Sequence, residues 1–293
     1  MTIFRGSGVA LVTPFNKEGV DFKKLKELIE LHLSSSTDAI IVCGTTGEAS
    51  TMTETEKKET IKFVVDTVNK KIPVIAGTGS NNTEASIKMC KWAEGIGVDG
   101  ILVITPYYNK TTQKGLIQHF EAIDSAVNIP IILYNVPGRT GMNLHPETIL
   151  SLTKTCKNIV AVKEASGNIS QVAKIKALCG DKIDIYSGND DQIVPILSLG
   201  GIGVISVLAN VVPKQVHDMV FNYLNGNVSE ALRLQLEYLS LTDALFIETN
   251  PIPVKTALNL MNMNVGNLRL PLCDMEDNNL EILRNELKKC NLI

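Results

Sequence analysis

A strand-then-helix alternation, repeated eight times along the chain, is the feature that most constrains how this sequence can fold. Each repeat begins with a short run rich in β-branched residues, and a segment of helical periodicity follows. Runs such as AIIVCG and PIILYNV are apolar on successive residues, which is typical of parallel strands covered on both faces. The predicted strands span residues 8–15, 39–44, 73–78, 100–107, 130–136, 159–165, 183–188 and 203–210.

The segments between these strands have the pattern of amphipathic crossover helices. Phe22, Leu25 and Ile29 share one face of the first helix. Thr53, followed three residues later by Glu56, predicts a capping box at the start of the second. No Gly-x-Gly-x-x-Gly turn follows the first strand, which disfavours a doubly wound dinucleotide fold. The sequence therefore predicts an α/β fold of the (β/α)8 TIM barrel type.

The strand-like runs stop before residue 224, and the remainder has only helical periodicity. Helices are predicted over residues 228–246, 253–263 and 276–290, after a turn of composition Asn-Gly-Asn at 225–227. We therefore expect a barrel over residues 1–224 and a C-terminal helical domain over residues 225–293.

Composition narrows the function classes. The chain has 293 residues, of which 44% are hydrophobic and 20% charged, so it can bury a large core and is not expected to be disordered. A net charge of −3, with no cluster of lysines, argues against nucleic acid as a partner. The N-terminal MTIFRGSGVA has no export signal, and no apolar stretch approaches the roughly 20 residues that a membrane helix needs. We expect a cytoplasmic protein without membrane contact.

The cysteines give no indication of a metal site. None belongs to a Cys-x-x-Cys pair or lies beside a histidine cluster, so we interpret them as reduced thiols. They are Cys43, Cys90, Cys156, Cys179, Cys273 and Cys290.

Polar residues at the ends of the predicted strands are the candidate functional residues, because the active face of such a barrel lies at the carboxyl ends of its strands. They are Thr13, Thr45, Thr46, Glu48, Thr105, Tyr107, Tyr108, Tyr134, Asn135, Arg139, Lys163, Glu164, Ser187 and Asn210.

Lys163 follows four apolar residues, so its amine is expected to start from a buried strand. Desolvation lowers the pKa of an amine and produces the neutral nucleophile that attacks a ketone. Two interpretations are open from the strand alone: an imine-forming lysine, or a lysine that extends to the barrel rim or pairs with Glu164.

Two further features have a functional and a structural interpretation. Tyr134 ends the preceding strand, where its phenol could exchange protons with the Lys163 imine, or could bond to backbone as a core residue. The GTTGE turn at residues 44–48 could direct N–H groups at a carboxylate, although Thr and Gly are also ordinary turn residues.

Six motifs together identify a resemblance. They are GTTGE at 44–48, AGTG at 76–79, TPYYN at 105–109, YNVPGRT at 134–140, VKEA at 162–165 and GVISV at 203–207. Over essentially its whole length the chain resembles the pyruvate-dependent class I aldolases typified by dihydrodipicolinate synthase and N-acetylneuraminate lyase. The resemblance implies a lyase with no metal and no cofactor.

The resemblance also implies roles for individual residues. Lys163 would form the imine with pyruvate, and Tyr134 would relay protons together with Thr46 and with Tyr108 of the partner subunit. The N–H groups of Thr45 and Thr46 would hold the pyruvate carboxylate. The same pocket would be lined by Gly188 and by the carbonyl of Ile205.

Arg139, within YNVPGRT, implies the second substrate. In the synthase branch of the family this arginine resembles a clamp for the carboxylate of aspartate semialdehyde, and a guanidinium fork suits that planar anion. The implied reaction is an aldol condensation of pyruvate with L-aspartate 4-semialdehyde, followed by cyclisation. Two alternatives remain: a related lyase acting on a sugar acid such as N-acetylneuraminate or 2-keto-3-deoxygluconate, and a barrel that senses a keto acid without turnover.

The resemblance further implies a homotetramer of tight dimers and a possible effector site for lysine between subunits. Here the chain departs from lysine-sensitive relatives, which carry histidines at the positions of Glu54 and Lys57, a serine at Ala49 and a glutamate at Ala85. Losing the glutamate removes a charge-assisted bond to the effector's ammonium group. We therefore predict that lysine inhibits weakly or not at all, even though Asn81 and Tyr107 remain.

Overall fold

A computed structural model describes residues 2–293. Eight parallel strands close into a barrel in which each strand pairs with its neighbours in sequence and the first pairs with the last. The strands are β1 (Gly6–Ala10), β2 (Ala39–Val42), β3 (Val74–Gly77), β4 (Gly100–Ile104), β5 (Ile131–Asn135), β6 (Ile159–Glu164), β7 (Asp184–Ser187) and β8 (Gly203–Ser206). The predicted (β/α)8 barrel is confirmed.

Helices connect successive strands along the outside of the barrel. They are α1 (Phe22–Ser34), α2 (Glu54–Val68), α3 (Thr83–Gly95), α4 (Gln113–Asp124), the single turn α5 (Pro137–Thr140), α6 (Pro146–Thr155), α7 (Ile169–Cys179), α8 (Ile193–Ser198) and α9 (Pro213–Leu224). Short 3₁₀ turns span Ala49–Thr51, Gly180–Lys182, Asp190–Gln192 and Leu208–Asn210. The capping box predicted for α2 is present, with Thr53 and Glu56 bonding reciprocally to each other's backbone N–H.

Strand side chains alternate between two apolar regions. In β2, Ile41 belongs to a small cluster inside the barrel, whereas Ile40 and Val42 belong to the larger layer between strands and helices. Because both faces are covered, the strands are apolar on successive residues, as the sequence predicted. Each strand contributes one or two residues to the small cluster. They include Ile75, Leu102, Ile132, Tyr134, Ala161, Tyr186 and Ile205.

The first strand differs from its prediction. It begins two residues earlier than expected and ends at Ala10, and Phe15 instead pairs with Val20 in a two-residue antiparallel ladder of Phe15–Asn16 with Gly19–Val20. The backbone N–H of Phe15 donates to the carbonyl of Val265 in the C-terminal segment. This contact with the C-terminal segment holds Phe15 away from the barrel, so Phe15 does not continue β1.

Four helices follow the barrel: α10 (Val228–Glu237), α11 (Leu239–Leu245), α12 (Ile252–Leu260) and α13 (Asp277–Lys289). The prediction of one continuous helix over 228–246 is wrong, because the helix is interrupted at Tyr238. We refer to residues 225–293 as the C-terminal extension. Its boundary with the barrel at residues 224 and 225 stays a prediction.

Candidate active site

Lys163 lies one residue before the end of β6, and its whole side chain is within the barrel mouth at 5% exposure. Burial lowers its pKa to about 8, because an ammonium ion loses hydration there. The negative charge of Asp190 opposes this shift, and the positive charge of Arg139 adds to it. A substantial fraction of the amine is therefore neutral near physiological pH.

The alternative pairing of Lys163 with Glu164 does not occur. Glu164 points to the other side of the strand, where it accepts hydrogen bonds from the Asn135 amide at 3.0 Å and the Ser166 N–H at 2.8 Å. Within residues 2–293, no carboxylate oxygen lies within 4 Å of the Lys163 amine. Adjacent strand residues project to opposite faces, so the two charges are separated by the strand itself.

Tyr134 is the register partner of Lys163 on the neighbouring strand β5. The Lys163 Nζ lies 4.5 Å from the centre of the Tyr134 ring. Burial raises the pKa of the Tyr134 phenol, whereas Arg139 and a hydrogen bond with the Thr45 side chain lower it. Within residues 2–293 the phenol has no hydrogen bond to backbone, so the interpretation of Tyr134 as a backbone-bonded core residue is not supported.

Two threonines of the turn after β2 lie near Tyr134, and the predicted role of Thr46 in the proton relay stays a prediction. The structure puts the Thr45 side chain against the phenol. The Thr46 hydroxyl instead accepts a hydrogen bond of 3.0 Å from Nδ2 of Asn250. Consecutive residues of the turn after β2 project in different directions, and residue type alone does not indicate which one faces β5.

The backbone of this turn is suited to an anion. Among residues 2–293, neither the Thr45 N–H nor the Thr46 N–H donates to another protein group, whereas the N–H groups of Gly47 and Glu48 are both bonded within the turn. Two free, adjacent N–H groups form the kind of concavity that binds a carboxylate.

A buried ion pair fixes the turn from behind. Glu48, which has a left-handed backbone at φ 53°, accepts a bond of 2.7 Å from Nζ of Lys255 in α12. Its second oxygen accepts the Arg269 N–H at 2.9 Å, and Lys255 also donates to the Asn267 carbonyl. Both charged side chains are buried, so removing either one would leave an uncompensated charge in the interior.

Lys163, Tyr134 and the turn meet in a cavity of about 140 Å³ at the carboxyl ends of the strands. This cavity, hereafter the lysine cavity, is large enough for a molecule of a few heavy atoms. The turn contributes Thr45 and Thr46, and the other lining residues include Arg139, Gly188, Val207, Phe246 and Asn250.

Gly188 makes room for the lysine side chain. A Cβ at this position would lie 2.6 Å from the Ala165 Cβ and 3.1 Å from the Lys163 Cε. The side chain of Ile205 packs in the barrel interior, and Val207 is the residue from that segment that lines the cavity. The predicted contact of the Ile205 carbonyl with substrate stays a prediction.

Arg139 is an exposed residue of the single turn α5, which begins at Pro137 directly after β5. Its Nη2 donates a hydrogen bond of 3.0 Å to the backbone carbonyl of Asn250. Arg139 also lines the lysine cavity and an adjoining cleft of about 270 Å³ that contains Tyr107 and Thr45. A second, anionic substrate could therefore reach the amine past a guanidinium group.

Tyr108 projects away from the lysine cavity of its own chain. It is 92% exposed, and its backbone has φ +70°, a left-handed conformation that is uncommon for a bulky residue. Its predicted role across a subunit boundary stays a prediction.

Four of the residues considered for a lysine effector site, Ala49, Glu54, Lys57 and Ala85, line a separate cavity of about 410 Å³, which we call the effector cavity. Tyr107 lines the adjoining cleft beside Arg139 instead. Glu54 pairs with Lys58 at 2.5 Å, and Glu84 lies 3.8 Å from Lys88. Ala85 adds no charge. Each of these two acidic groups thus has a lysine of its own helix within 4 Å.

Sequence reasoning missed the contribution of the C-terminal extension. Asn250 and Phe246 line the lysine cavity, although neither has a local motif that marks it. Within residues 2–293 there is no cluster of three metal-binding side chains, and no helix there is long and apolar enough to span a bilayer.

Comparison with known proteins identifies the family. The model of the dihydrodipicolinate synthetase family matches residues 3–290. The chain is 68% identical to a 4-hydroxy-tetrahydrodipicolinate synthase of Clostridium novyi, over 99% of this chain and 98% of the relative.

Two solved structures have the same fold. A chloride-inhibited dihydrodipicolinate synthase from Acinetobacter baumannii, complexed with pyruvate, matches with a TM-score of 0.97 at 43% identity and covers all of both chains. A dihydrodipicolinate synthase from Cyanidioschyzon merolae with lysine bound matches with a TM-score of 0.96 at 42% identity, also over all of both chains. These matches confirm the resemblance seen in the sequence. The chain belongs to the dihydrodipicolinate synthetase family.

Proposed function

We propose that the chain is a lyase that condenses pyruvate with L-aspartate 4-semialdehyde and releases 4-hydroxy-tetrahydrodipicolinate, the first committed step of diaminopimelate and lysine biosynthesis. The observation that carries the proposal is the lysine cavity, where a buried amine with a pKa of about 8 lies beside Tyr134 and below Arg139. Two relatives that are named for this activity are each 68% identical to the chain.

The reaction begins with pyruvate in the lysine cavity. The two free N–H groups of Thr45 and Thr46 bind its carboxylate, which brings the ketone carbon to Lys163. The neutral amine adds to that carbon, and loss of water leaves an imine. The solved structure of the Acinetobacter baumannii relative contains pyruvate, which supports this first substrate.

Proton transfers then fall to Tyr134. The imine draws electrons from the methyl group of pyruvate, so that one C–H proton can leave and an enamine forms. The phenol and the Thr45 hydroxyl beside it carry that proton, with Tyr108 of the partner subunit as the outer member of the relay. Thr45 takes the place in the relay that the sequence analysis gave to Thr46.

The enamine carbon next attacks the aldehyde of the second substrate, and a carbon–carbon bond forms. Arg139 binds the carboxylate of aspartate semialdehyde at the cavity mouth. The substrate's own amine then displaces Lys163 from the imine carbon, which closes the ring and returns the free lysine. Arg139 favours the synthase over lyases that act on sugar acids. The amine of Lys163 favours an enzyme over a keto-acid sensor, because a sensor needs no imine.

The experiment that tests the proposal is pyruvate trapping followed by turnover. Reduction with borohydride in the presence of pyruvate is expected to modify Lys163, as mapped by mass spectrometry, and aspartate semialdehyde is then expected to be consumed. Arg139→Ala should retain the pyruvate adduct and lose about 2 to 5 kcal/mol of transition-state stabilisation with the aldehyde. Modification of a different lysine would refute the mechanism, and wild-type aldehyde kinetics for Arg139→Ala would refute the clamp.

The same proposal includes a cytoplasmic homotetramer built from tight dimers. The exposed Tyr108 with its left-handed backbone supports a contact with a second copy of the chain. Inactive Tyr108→Phe and Lys163→Ala subunits, when mixed, should regain activity in hybrid dimers. Hybrids that form without activity would show that each site is complete within one chain.

A further inference from the structure

We propose that Asn250, a residue of the C-terminal extension, is a positioning residue that holds the two substrate subsites in register. The inference rests on the proposed function and deepens it, because it concerns how the pyruvate turn and the arginine clamp are aligned. Asn250 lies between α11 and α12, is 4% exposed, and lines the lysine cavity.

Asn250 contacts both subsites with separate atoms. Its side-chain Nδ2 donates to the Thr46 hydroxyl at 3.0 Å, and its backbone carbonyl accepts from Nη2 of Arg139 at 3.0 Å. These partners are 204 and 111 residues away in sequence. One buried residue therefore connects the turn after β2 with α5 after β5, across the mouth of the cavity.

The carboxamide is poorly explained as a contribution to stability. Its Oδ1 atom is buried and has no hydrogen-bond partner within residues 2–293. A buried acceptor left unsatisfied costs about 1 to 3 kcal/mol, so one bond to Thr46 does not clearly repay the burial of the group. An unsatisfied buried group of this kind calls for an explanation, and functional sites are where such groups are expected.

The direction of the bond gives the carboxamide a chemical effect. Because Nδ2 donates, the Thr46 oxygen is the acceptor and its own proton remains available. That proton can be donated to the pyruvate carboxylate, beside the free N–H groups of Thr45 and Thr46. Asn250 thereby orients a third donor towards the anion without touching the reacting atoms.

The test compares Asn250→Ala with Asn259→Ala. Asn259 is the control, because its side chain hydrogen-bonds to Gly266 and Val265, and both partners lie within the C-terminal extension. The readout is the pyruvate concentration that half-saturates the borohydride-trapped imine, which needs no aldehyde. For Asn250→Ala we expect about a fivefold increase, equivalent to about 1 kcal/mol for one neutral hydrogen bond. The KM for aspartate semialdehyde should also rise, since the carbonyl that holds Arg139 loses its anchor.

A double-mutant cycle separates positioning from general damage. Thr46→Val removes the acceptor, so adding Asn250→Ala to it should raise the half-saturating concentration little further. Thr46→Ser keeps the hydroxyl and should half-saturate at a lower pyruvate concentration than Thr46→Val. This comparison of Ser with Val applies even where Asn250→Ala fails to fold. Unchanged half-saturation in Asn250→Ala, strictly additive effects, or equal values for Ser and Val would each overturn the inference. A wild-type protein that traps no pyruvate would instead refute the proposed function.

Discussion

Raising the pH from 6 to 10 should change the rate of imine formation on Lys163 in two stages. With a pKa of about 8, the neutral fraction of the amine rises nearly tenfold per pH unit below pH 8 and levels off above it. At pH 7 about one tenth of the amine is neutral, compared with about 0.03% for a lysine with the ordinary pKa of 10.5. Burial therefore increases the reactive fraction about 300-fold at pH 7.

The assay follows the formation of the adduct and keeps the reduction step constant. The protein is mixed with pyruvate well below half-saturation at each pH, and samples taken over time are quenched into borohydride at one fixed pH. Mass spectrometry then gives the fraction of Lys163 that carries pyruvate. Lys163→Ala serves as the baseline, because it has no amine in the lysine cavity.

A variant of Asp190 provides a second test of the lysine pKa. Its negative charge raises the pKa of Lys163, and its Oδ2 accepts the N–H groups of Val207 and Leu208. Asp190→Asn keeps an oxygen acceptor and removes the charge, so the pH at which the rate levels off should fall. A wild-type rate that keeps rising tenfold per unit up to pH 10 would show that burial does not depress the pKa of the lysine. An unshifted profile for Asp190→Asn would refute the charge coupling.

Three further predictions concern packing, linkage and regulation. Gly188→Ala should slow imine formation at least tenfold and cost about 1 to 3 kcal/mol of stability, because its Cβ would lie 2.6 Å from the Ala165 Cβ. Gly95→Ala, where nothing lies within 4 Å, is the control, and equal behaviour of the two in trapping and urea unfolding would contradict the packing argument. Lys163→Met should raise the free energy of unfolding by about 3 kcal/mol at pH 7, since the depressed pKa makes the ammonium destabilising there. This gain should shrink as the pH rises from 8 to 10.5, where the unfolded state alone binds the proton, and a gain independent of pH in urea titrations would disprove the linkage. Millimolar lysine should inhibit turnover weakly or not at all, because Glu54 and Glu84 already pair with lysines, whereas Lys57→His combined with Ala85→Glu should increase sensitivity. Strong inhibition of the wild type well below millimolar lysine would overturn that expectation.

Much of the barrel and part of the site follow from local sequence. The alternation of buried runs with amphipathic segments predicts eight strands, because a parallel strand covered on both faces must be apolar throughout. The same logic predicts that Lys163 and Tyr134, as polar residues ending such runs, share the barrel mouth. Their register on neighbouring strands follows from the topology.

Other features were decided only by tertiary packing. Whether Thr45 or Thr46 faces Tyr134 depends on how the turn after β2 is held, and it is held by Glu48 and Lys255 from opposite ends of the chain. Local periodicity also could not show that the predicted helix over residues 228–246 breaks at Tyr238.

Asn250 is the clearest case of this division. In the sequence it is an asparagine before a proline, a pattern typical of any loop. Its partners Thr46 and Arg139 lie 204 and 111 residues away, so only the packing of the C-terminal extension on the barrel brings them together. Sequence by itself determined the fold and placed Lys163 at the barrel mouth, because both depend on which side chains each strand buries. The alignment of the groups around that lysine depends on contacts between distant segments, and the tertiary structure alone determines those.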